Sequence, residues 1–244
     1  MQIDYGTATS QGKVRTSNED SFAADSGSRL FLVADGMGGH AAGEVASEIA
    51  ASTVEELVAS ERGDNAGLGE LLIGAARAAN GRIYEAQRQR PELSGMGSTL
   101  TVLVFSDSSY HIAHVGDSRA YLLRAGILDQ LTRDHSLVWH LFESGVLRKD
   151  ELSSHPQKNL ITRSIGPHPQ VEVDVECGEV HEGDTFLLCS DGLTDVLSDE
   201  DIRRTLSAAD ASPQQLGDTL VSAANARGGP DNITVIVVRI RSNK

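Results

Sequence analysis

Two segments of the chain are almost continuously apolar, TLTVLVF at residues 99–105 and ITVIVVRI at residues 233–240. A strand with one face in water alternates between polar and apolar residues, whereas a strand covered on both faces does not. We therefore predict that both segments are central strands of sheets that are covered on two sides. Such strands require helices or a second sheet on each face, which strongly limits the folds available to the chain.

Further strands are predicted at residues 29–34, 110–115, 119–123 and 185–189. These runs are rich in β-branched or aromatic residues and most are bounded by Gly, Asp or Ser. The sequence HIAHV, followed by GDS and then RAYLLR, is typical of a hairpin. It predicts antiparallel pairing between the second and third of these runs.

Apolar residues recur at helical spacing between the first two strands and predict two long helices, within residues 45–57 and 68–86. The sequence SPQQ, beginning at Ser212, combines a cap residue, a proline and a reciprocal glutamine and predicts the start of a third helix. Ser198 is a weaker cap for a short helix through Leu206. Strands in an antiparallel run and helices in groups indicate an α+β fold in which helices cover a sheet or sandwich.

Composition limits the function classes. With 244 residues and 39% hydrophobic content, we expect a single domain over residues 1–244 with a sizeable core. The net charge of −14 argues against a broad surface for nucleic acid or anionic lipid. No apolar run approaches the ~18 residues of a membrane span and no signal core is present, so a soluble, cytoplasmic monomer is expected. The two cysteines have neither disulfide-framework nor zinc-site spacing.

Four aspartates lie at the ends of predicted strands. Asp35, Asp117 and Asp191 follow apolar runs, and Asp231 directly precedes one. If these strands are antiparallel, Asp35, Asp191 and Asp231 reach the same sheet edge, although each aspartate alone could be an ordinary turn residue. Clustered carboxylates repel one another unless they are protonated or neutralised by cations. Hard oxygens without an accompanying Cys or His set favour magnesium or manganese over zinc.

Seven motifs occur in order from Val14 to Val238: VRTSNEDS, VADGMGGHAAGE, GMGSTL, HVGDSRAYL, LTRDHSLV, LLCSDGL and GGPDNITVIVV. Together they resemble the type 2C metal-dependent protein serine/threonine phosphatases in their compact bacterial form. The resemblance implies a four-layer α-β-β-α sandwich of two antiparallel sheets flanked by helix pairs. It also implies hydrolysis of phosphoserine and phosphothreonine in proteins, including kinase targets, by a water that bridges two magnesium or manganese ions, without a phosphoenzyme intermediate.

The resemblance also implies a role for each metal-binding residue. Asp35 would bridge the two metals and Gly36 would offer its carbonyl oxygen. Asp191 and Asp231 would complete the coordination of the first metal. Asp117 matches the ligand of a third, weaker metal that shares Asp191.

Other motif residues match positions around the metals. Glu19 and Asp20 match acids that hold waters coordinated to the second metal. Arg15 matches the arginine that grips the substrate phosphate, a task suited to a planar guanidinium. His40 matches the histidine proposed to protonate the leaving alkoxide. Residues 145–170, with three prolines and no sustained periodicity, predict a surface segment outside the core and match the family's flap, the variable piece beside the active site.

Parts of the sequence also fit two other functions. The loop after Asp35 fits G-x-G-x-x-A, but a long helical stretch precedes the next strand and no acid ends a second parallel strand, which argues against dinucleotide binding. The alternative that stays open is a non-catalytic, metal-dependent module that binds phosphorylated partners. Retention of Asp35, Asp191 and Asp231 favours the enzyme.

Overall fold

The computed structural model describes residues 1–38, 42–61 and 67–241. The strands are β1 Gln2–Ser10, β2 Asp20–Asp25, β3 Leu30–Met37, β4 Gly97–Ser98, β5 Leu100–Phe105, β6 Ser109–Val115, β7 Arg119–Arg124, β8 Ile127–Gln130, β9 Asp174–Glu179, β10 Thr185–Cys189 and β11 Ile233–Arg241. Sheet I has the order β1-β11-β10-β7-β8, and sheet II the order β2-β3-β5-β6-β9, with β4 added beside β3. Neighbouring strands pair antiparallel in both sheets.

The helices are α1 Ala42–Glu61, α2 Leu68–Gln89, α3 Leu137–Glu143, α4 Asp191–Thr194, α5 Asp199–Leu206 and α6 Pro213–Ala226. Ser198 and Ser212 are the N-cap residues of α5 and α6, as predicted, and Ser136 is the N-cap residue of α3. Each of these serine side chains accepts a hydrogen bond from the backbone N–H three residues later, which satisfies one of the free donors of the helix. Within the described ranges, no helix combines the length and the apolar character that crossing a bilayer requires.

The elements form four layers separated by three apolar interiors. One cluster packs α1 and α2 on sheet II, a second packs α4, α5 and α6 on sheet I, and the third lies between the sheets. In the middle layer, Phe105 meets Phe31 and Phe186 edge to face, with ring centroids 5.9 and 5.1 Å apart. The predicted α-β-β-α sandwich is therefore confirmed, and β5 and β10 are buried along their whole length.

The predicted hairpin between β6 and β7 is wrong. β6 pairs with β5 and β9 in sheet II, whereas β7 pairs with β10 and β8 in sheet I. The backbone of Gly116 bonds to His135 instead of closing a turn: its N–H donates to His135 Nδ1 and its C=O accepts from the His135 N–H. Gly116 has a φ of 115°, a conformation that glycine adopts without strain, and it carries the chain from one sheet to the other.

The longer strands that the sequence did not predict are β1, β2, β8 and β9. All four are the edge strands of their sheets. Edge strands are covered on fewer sides, and these four contain many partly exposed positions. They therefore lack the continuous apolar runs by which the central strands were recognised.

The segment 145–170 is more closely attached to the core than predicted. Residues Lys149–Ser154 form a short 3-10 helix. Near the end of the segment, Ile165 is fully buried and exchanges two backbone hydrogen bonds with Ser98. The expectation of a surface segment is thus wrong for the Ile165 end, because an apolar side chain anchors it beneath β4.

A matched pair of glycines tests how closely α6 packs on sheet I. A Cβ on Gly6, in β1, would overlap the backbone of Gln214 in the first turn of α6. We expect Gly6→Ala to lower the free energy of unfolding by about 1–3 kcal/mol through overpacking. A Cβ on Gly217, within α6, would lie 3.5 Å from Val235, an ordinary contact. Gly217→Ala should instead raise stability by up to about 1 kcal/mol through helix propensity.

Urea unfolding followed by circular dichroism measures both effects. Equal midpoints for Gly6→Ala and the parent protein would show that α6 does not rest directly on β1.

Candidate active site

The four strand-end aspartates meet at one end of the sandwich. Antiparallel pairing of β10 with β11 places Asp191, the first residue of α4, at the same end of sheet I as Asp231. Asp35 lies near the end of β3 in sheet II and interacts electrostatically with both. Asp117 lies in the crossing between β6 and β7 and also interacts with Asp35 and Asp191. The structure therefore brings together the residues that the sequence singled out, with contributions from both sheets.

Glycine permits the backbone crowding at this end. A side chain on Gly36 would overlap the carbonyl oxygen of Gly43, so the end of β3 lies directly against the first turn of α1. The Gly36 N–H donates to the Glu19 carbonyl oxygen at 3.1 Å. Asp20 pairs in register with Asp35, because β2 runs beside β3. Backbone pairing between β2 and β3 thus holds Asp20 next to Asp35, and the bond from Gly36 holds Glu19 beside them.

The electrostatic environment disfavours charge on the central carboxylates. Burial raises the pKa of Asp35 well above its usual value, and the nearby carboxylates of Asp20 and Asp191 raise it further. Burial likewise raises the pKa of Asp191 well above its usual value, reinforced by Asp117 and Asp195. Without a positive counter-charge, these groups favour their protonated forms.

The flanking acids share this environment. Burial raises the pKa of Asp20 to about 6, although a hydrogen bond from Ser190 to its Oδ2, at 2.8 Å, favours the ionised form. Burial raises the pKa of Asp117 to about 7, and the Asp134 carboxylate adds to the shift. The Arg119 guanidinium acts in the opposite direction, but it is already held by Asp134 in a bidentate pair.

Three buried carboxylate oxygens lack a hydrogen-bond partner among the described residues: Oδ1 of Asp20, Oδ1 of Asp117 and Oδ1 of Asp191. A buried acceptor without a donor is costly, and hard oxygens of this kind are the ligands that magnesium and manganese prefer. The residues present therefore fit divalent cations. In the described part of the chain, no group of three or more His, Cys, Asp or Glu side chains stands in an arrangement that could hold a metal ion without side-chain movement.

Hydrogen bonds from Thr99, a residue that the sequence did not single out, join the two sides of the site. Its Oγ1 accepts from the Asp35 N–H at 2.8 Å and lies 2.8 Å from the Ser118 hydroxyl. Its own N–H donates to the Asp35 carbonyl oxygen. Thr99 therefore fixes Asp35 relative to the crossing that carries Asp117. Its only sequence signal was its place in the GMGSTL motif.

Arg15 lies at the mouth of the site but is not free. Its Nη2 donates to Oδ2 of Asp231 at 2.7 Å, and this hydrogen bond raises the pKa of the guanidinium. The side chain is 56% exposed, so it can leave this partner. Burial raises the pKa of the Glu19 carboxyl, opposed by a hydrogen bond from Ser17. His40 lies outside the described residues.

A cavity of about 450 Å³ opens beside Asp117 and Asp191. Its lining includes residues of the segment 145–170 and of α3, and residues from α4 to the start of α5. Lys158, in this lining, pairs with Asp195 at 2.8 Å. The flap segment therefore borders the acidic site, as the resemblance implied.

Comparisons with known proteins agree with this architecture. A family model described as protein phosphatase 2C matches residues 8–226. This chain belongs to the protein phosphatase 2C family. The family depends on metal ions.

Relatives within the protein phosphatase 2C family are similar over nearly the whole chain. The serine/threonine protein phosphatase PstP of Mycobacterium tuberculosis is 42% identical over 243 residues, which are 98% of this chain and 45% of PstP. The serine/threonine phosphatase stp of Listeria monocytogenes is 37% identical over 240 residues, 94% of this chain and 93% of that protein. A crystal structure of the PstP catalytic domain in complex with two manganese ions is 39% identical, with a TM-score of 0.90 and coverage of 98% and 99% of the two chains. The chain thus spans about half the length of PstP.

The raised pKa values predict how pH and metal affect stability. A carboxyl whose pKa is higher in the folded state binds protons more tightly there, so its contribution to stability is present at low pH. For the metal-free protein, this contribution is lost as pH rises through the values of about 6 for Asp20 and about 7 for Asp117. We expect the melting temperature of chelator-treated protein to fall between pH 5 and pH 8. Addition of manganese should raise the melting temperature by more at pH 8 than at pH 5.

Two substitutions separate this effect from overall negative charge. Asp35→Asn removes one buried carboxylate, and it should raise the melting temperature of metal-free protein at pH 8 and weaken the response to manganese. Asp129→Asn removes an exposed carboxylate on β8 and serves as the matched control. Identical pH profiles for the two variants would contradict the electrostatic account of the site.

Proposed function

We propose that this chain hydrolyses phosphoserine and phosphothreonine in phosphorylated proteins. The observation that carries the proposal is the group of buried carboxylate oxygens beside Asp35 that have no hydrogen-bond partner among the described residues, in a chain of the protein phosphatase 2C family. Relatives named serine/threonine phosphatases support the substrate class. We further propose a single catalytic domain over residues 1–244, acting as a cytoplasmic monomer on proteins that include kinase targets.

The metal-binding residues have distinct proposed tasks. Asp35, the Gly36 carbonyl, Asp191 and Asp231 would hold two magnesium or manganese ions, and Asp117 with Asp191 would hold a third, weaker one. Two such ions supply a water of lowered pKa and stabilise negative charge on the transferring phosphoryl group. Asp20 lies beside Asp35, and its Oδ1, which has no hydrogen-bond partner in the described part of the chain, would hold a coordinated water. Glu19 would do the same.

Arg15 and His40 would act on the substrate. Oδ2 of Asp231 is held by Arg15 at 2.7 Å, and an Asp231 that bound a cation through this oxygen would leave the guanidinium available to the substrate. Its planar donors then match the oxygens of a phosphate, which they would orient for in-line attack. We propose that His40 protonates the leaving serine or threonine oxygen.

The alternative, a metal-dependent module that binds phosphoproteins without cleaving them, requires that the site lose its power to activate water. Each of the three acids that would hold the main pair of ions is present and placed at the same end of the sandwich. This placement favours catalysis.

Phosphate release tests the function directly. We expect the protein to release phosphate from p-nitrophenyl phosphate and from a phosphothreonine peptide with manganese, and to stop when a chelator is added. Asp35→Ala should reduce turnover by more than about 100-fold, because it removes a ligand from the centre of the site. Asp129→Ala is the surface control. Activity that survives the chelator or Asp35→Ala would refute the mechanism, whereas tight phosphopeptide binding without release would favour the binding module.

The flap, residues 145–170, is proposed to govern substrate choice and access, since it borders the cavity beside Asp191. We expect exchange of residues 146–159 for the corresponding segment of a relative to change the ranking of phosphopeptides by kcat/KM. The junctions leave the buried Ile165 in place. Turnover of p-nitrophenyl phosphate, which has no peptide to contact the flap, is the internal control. An unchanged peptide ranking would count against this role.

A further inference from the structure

Asn232 is a buried residue next to Asp231 to which the family resemblance assigned no role. Its side-chain oxygen accepts the Glu19 N–H at 2.8 Å, and its Nδ2 donates to the carbonyl oxygens of Gln11 at 2.9 Å and Ser17 at 2.8 Å. All three hydrogen bonds therefore go to backbone groups of residues 11–19, the segment between β1 and β2. We propose that Asn232 is a positioning residue that holds this segment so that Arg15 faces the substrate phosphate.

The segment depends on outside contacts because it forms no helix or strand of its own. Asn232 fastens it at both ends, through Gln11 on one side and through Ser17 and Glu19 on the other. Arg15 lies between these anchors, and its carbonyl oxygen accepts from Gln11 Nε2 at 2.7 Å. A guanidinium on a long side chain gains phosphate affinity when its backbone is already fixed, because less conformational entropy is lost on binding.

The chemistry of the contact requires an asparagine. The carboxamide offers an acceptor and two donors on a short side chain, and here the acceptor and both donors are used. An aspartate could still accept from Glu19, but it would place an oxygen against the carbonyl oxygens of Gln11 and Ser17. An alanine would leave all three backbone groups unpaired. At 6% exposure, Asn232 has little access to water that could replace these bonds.

Asn232 also couples the phosphate-binding side of the site to the metal-binding side. Its N–H donates to Oδ1 of Asp231 at 2.8 Å, and Oδ2 of the same carboxylate accepts from Arg15. The Lys13 N–H donates to the Gly229 carbonyl at 2.7 Å, so the 11–19 segment lies along the turn that leads to β11. One turn therefore sets the positions of both a proposed metal ligand and the proposed phosphate-binding arginine.

The inference rests on the proposed function, and a double-mutant cycle in the manganese-loaded full chain tests it. The variants are Asn232→Ala, Arg15→Ala and their combination, assayed for kcat and KM on a phosphothreonine peptide. Binding of inorganic phosphate by calorimetry and manganese affinity by equilibrium dialysis are measured in parallel. Asn80→Ala is the matched control, because Asn80 is also buried and also uses its carboxamide on backbone groups, the Gly166 N–H and the His168 carbonyl.

We expect Asn232→Ala to raise KM and to weaken phosphate binding by about tenfold, since small misplacements of positioning groups have effects of this order. kcat should fall as well, because Arg15 is proposed to orient the phosphate for in-line attack, whereas manganese affinity should change much less. In the Arg15→Ala background, the Asn232 substitution should have almost no further effect, because Asn232 acts through Arg15. Asn80→Ala should have the same effect in both backgrounds.

Equal losses from Asn232→Ala with and without Arg15 would overturn the proposal. If Asn232→Ala does not fold, the same double-mutant cycle is run with Asn232→Asp, which keeps the size and one acceptor. If neither variant folds, Asn232 is required for folding and the proposed positioning role is rejected. Absence of turnover in the parent protein would refute the proposed function, but the phosphate-binding cycle would still decide the role of Asn232.

Discussion

Mutual repulsion among buried carboxylates is the constraint on which the rest of this structure depends. Burial and neighbouring charge both raise the pKa values of Asp35 and Asp191. A fold that places such groups together gives up stability at neutral pH unless cations are bound. The three apolar interiors of the sandwich supply the compensating stability, and they reach the acidic end: Ala34 next to Asp35 is part of one core, and Leu193 near Asp191 is part of another. The backbone that carries the acids is thus held by apolar packing on either side of them.

The two sheets contribute different acids, and the joints between the sheets position them. The crossing at Gly116 moves the chain from sheet II to sheet I and presents Asp117 on the way. Thr99 bonds both to Asp35 and to the crossing. Ser190 donates to Asp20 while its hydroxyl also accepts from the Thr234 N–H, which ties β2 of sheet II to β11 of sheet I. Relative sliding of the sheets would therefore disturb the site together with the apolar interior between them.

The sequence predicted the central strands and main helices because continuous apolar runs and helical spacing reflect burial directly. It also predicted that Asp35, Asp191 and Asp231 converge, since strand ends in antiparallel sheets meet. The sequence did not predict the edge strands, because their partial exposure removes the continuous apolar run that marks a buried strand. The β6–β7 hairpin was wrong because a local turn signal such as GDS does not specify which sheet the next strand joins. Thr99 and Asn232 bond to backbone groups far away in the chain, so no local pattern could reveal their tasks.

The ion pair between Arg15 and Asp231 has a consequence for a cell that is short of divalent cations. If Asp231 binds a cation and Arg15 binds phosphate, as proposed, cation uptake would release Arg15 from Asp231, and cation binding and phosphate binding would favour each other by thermodynamic linkage. On the same proposal, molecules without cations would keep Arg15 paired with Asp231 and would not sequester phosphorylated proteins. Scarcity would then silence the protein completely, instead of turning it into a decoy that shields phosphates from other enzymes.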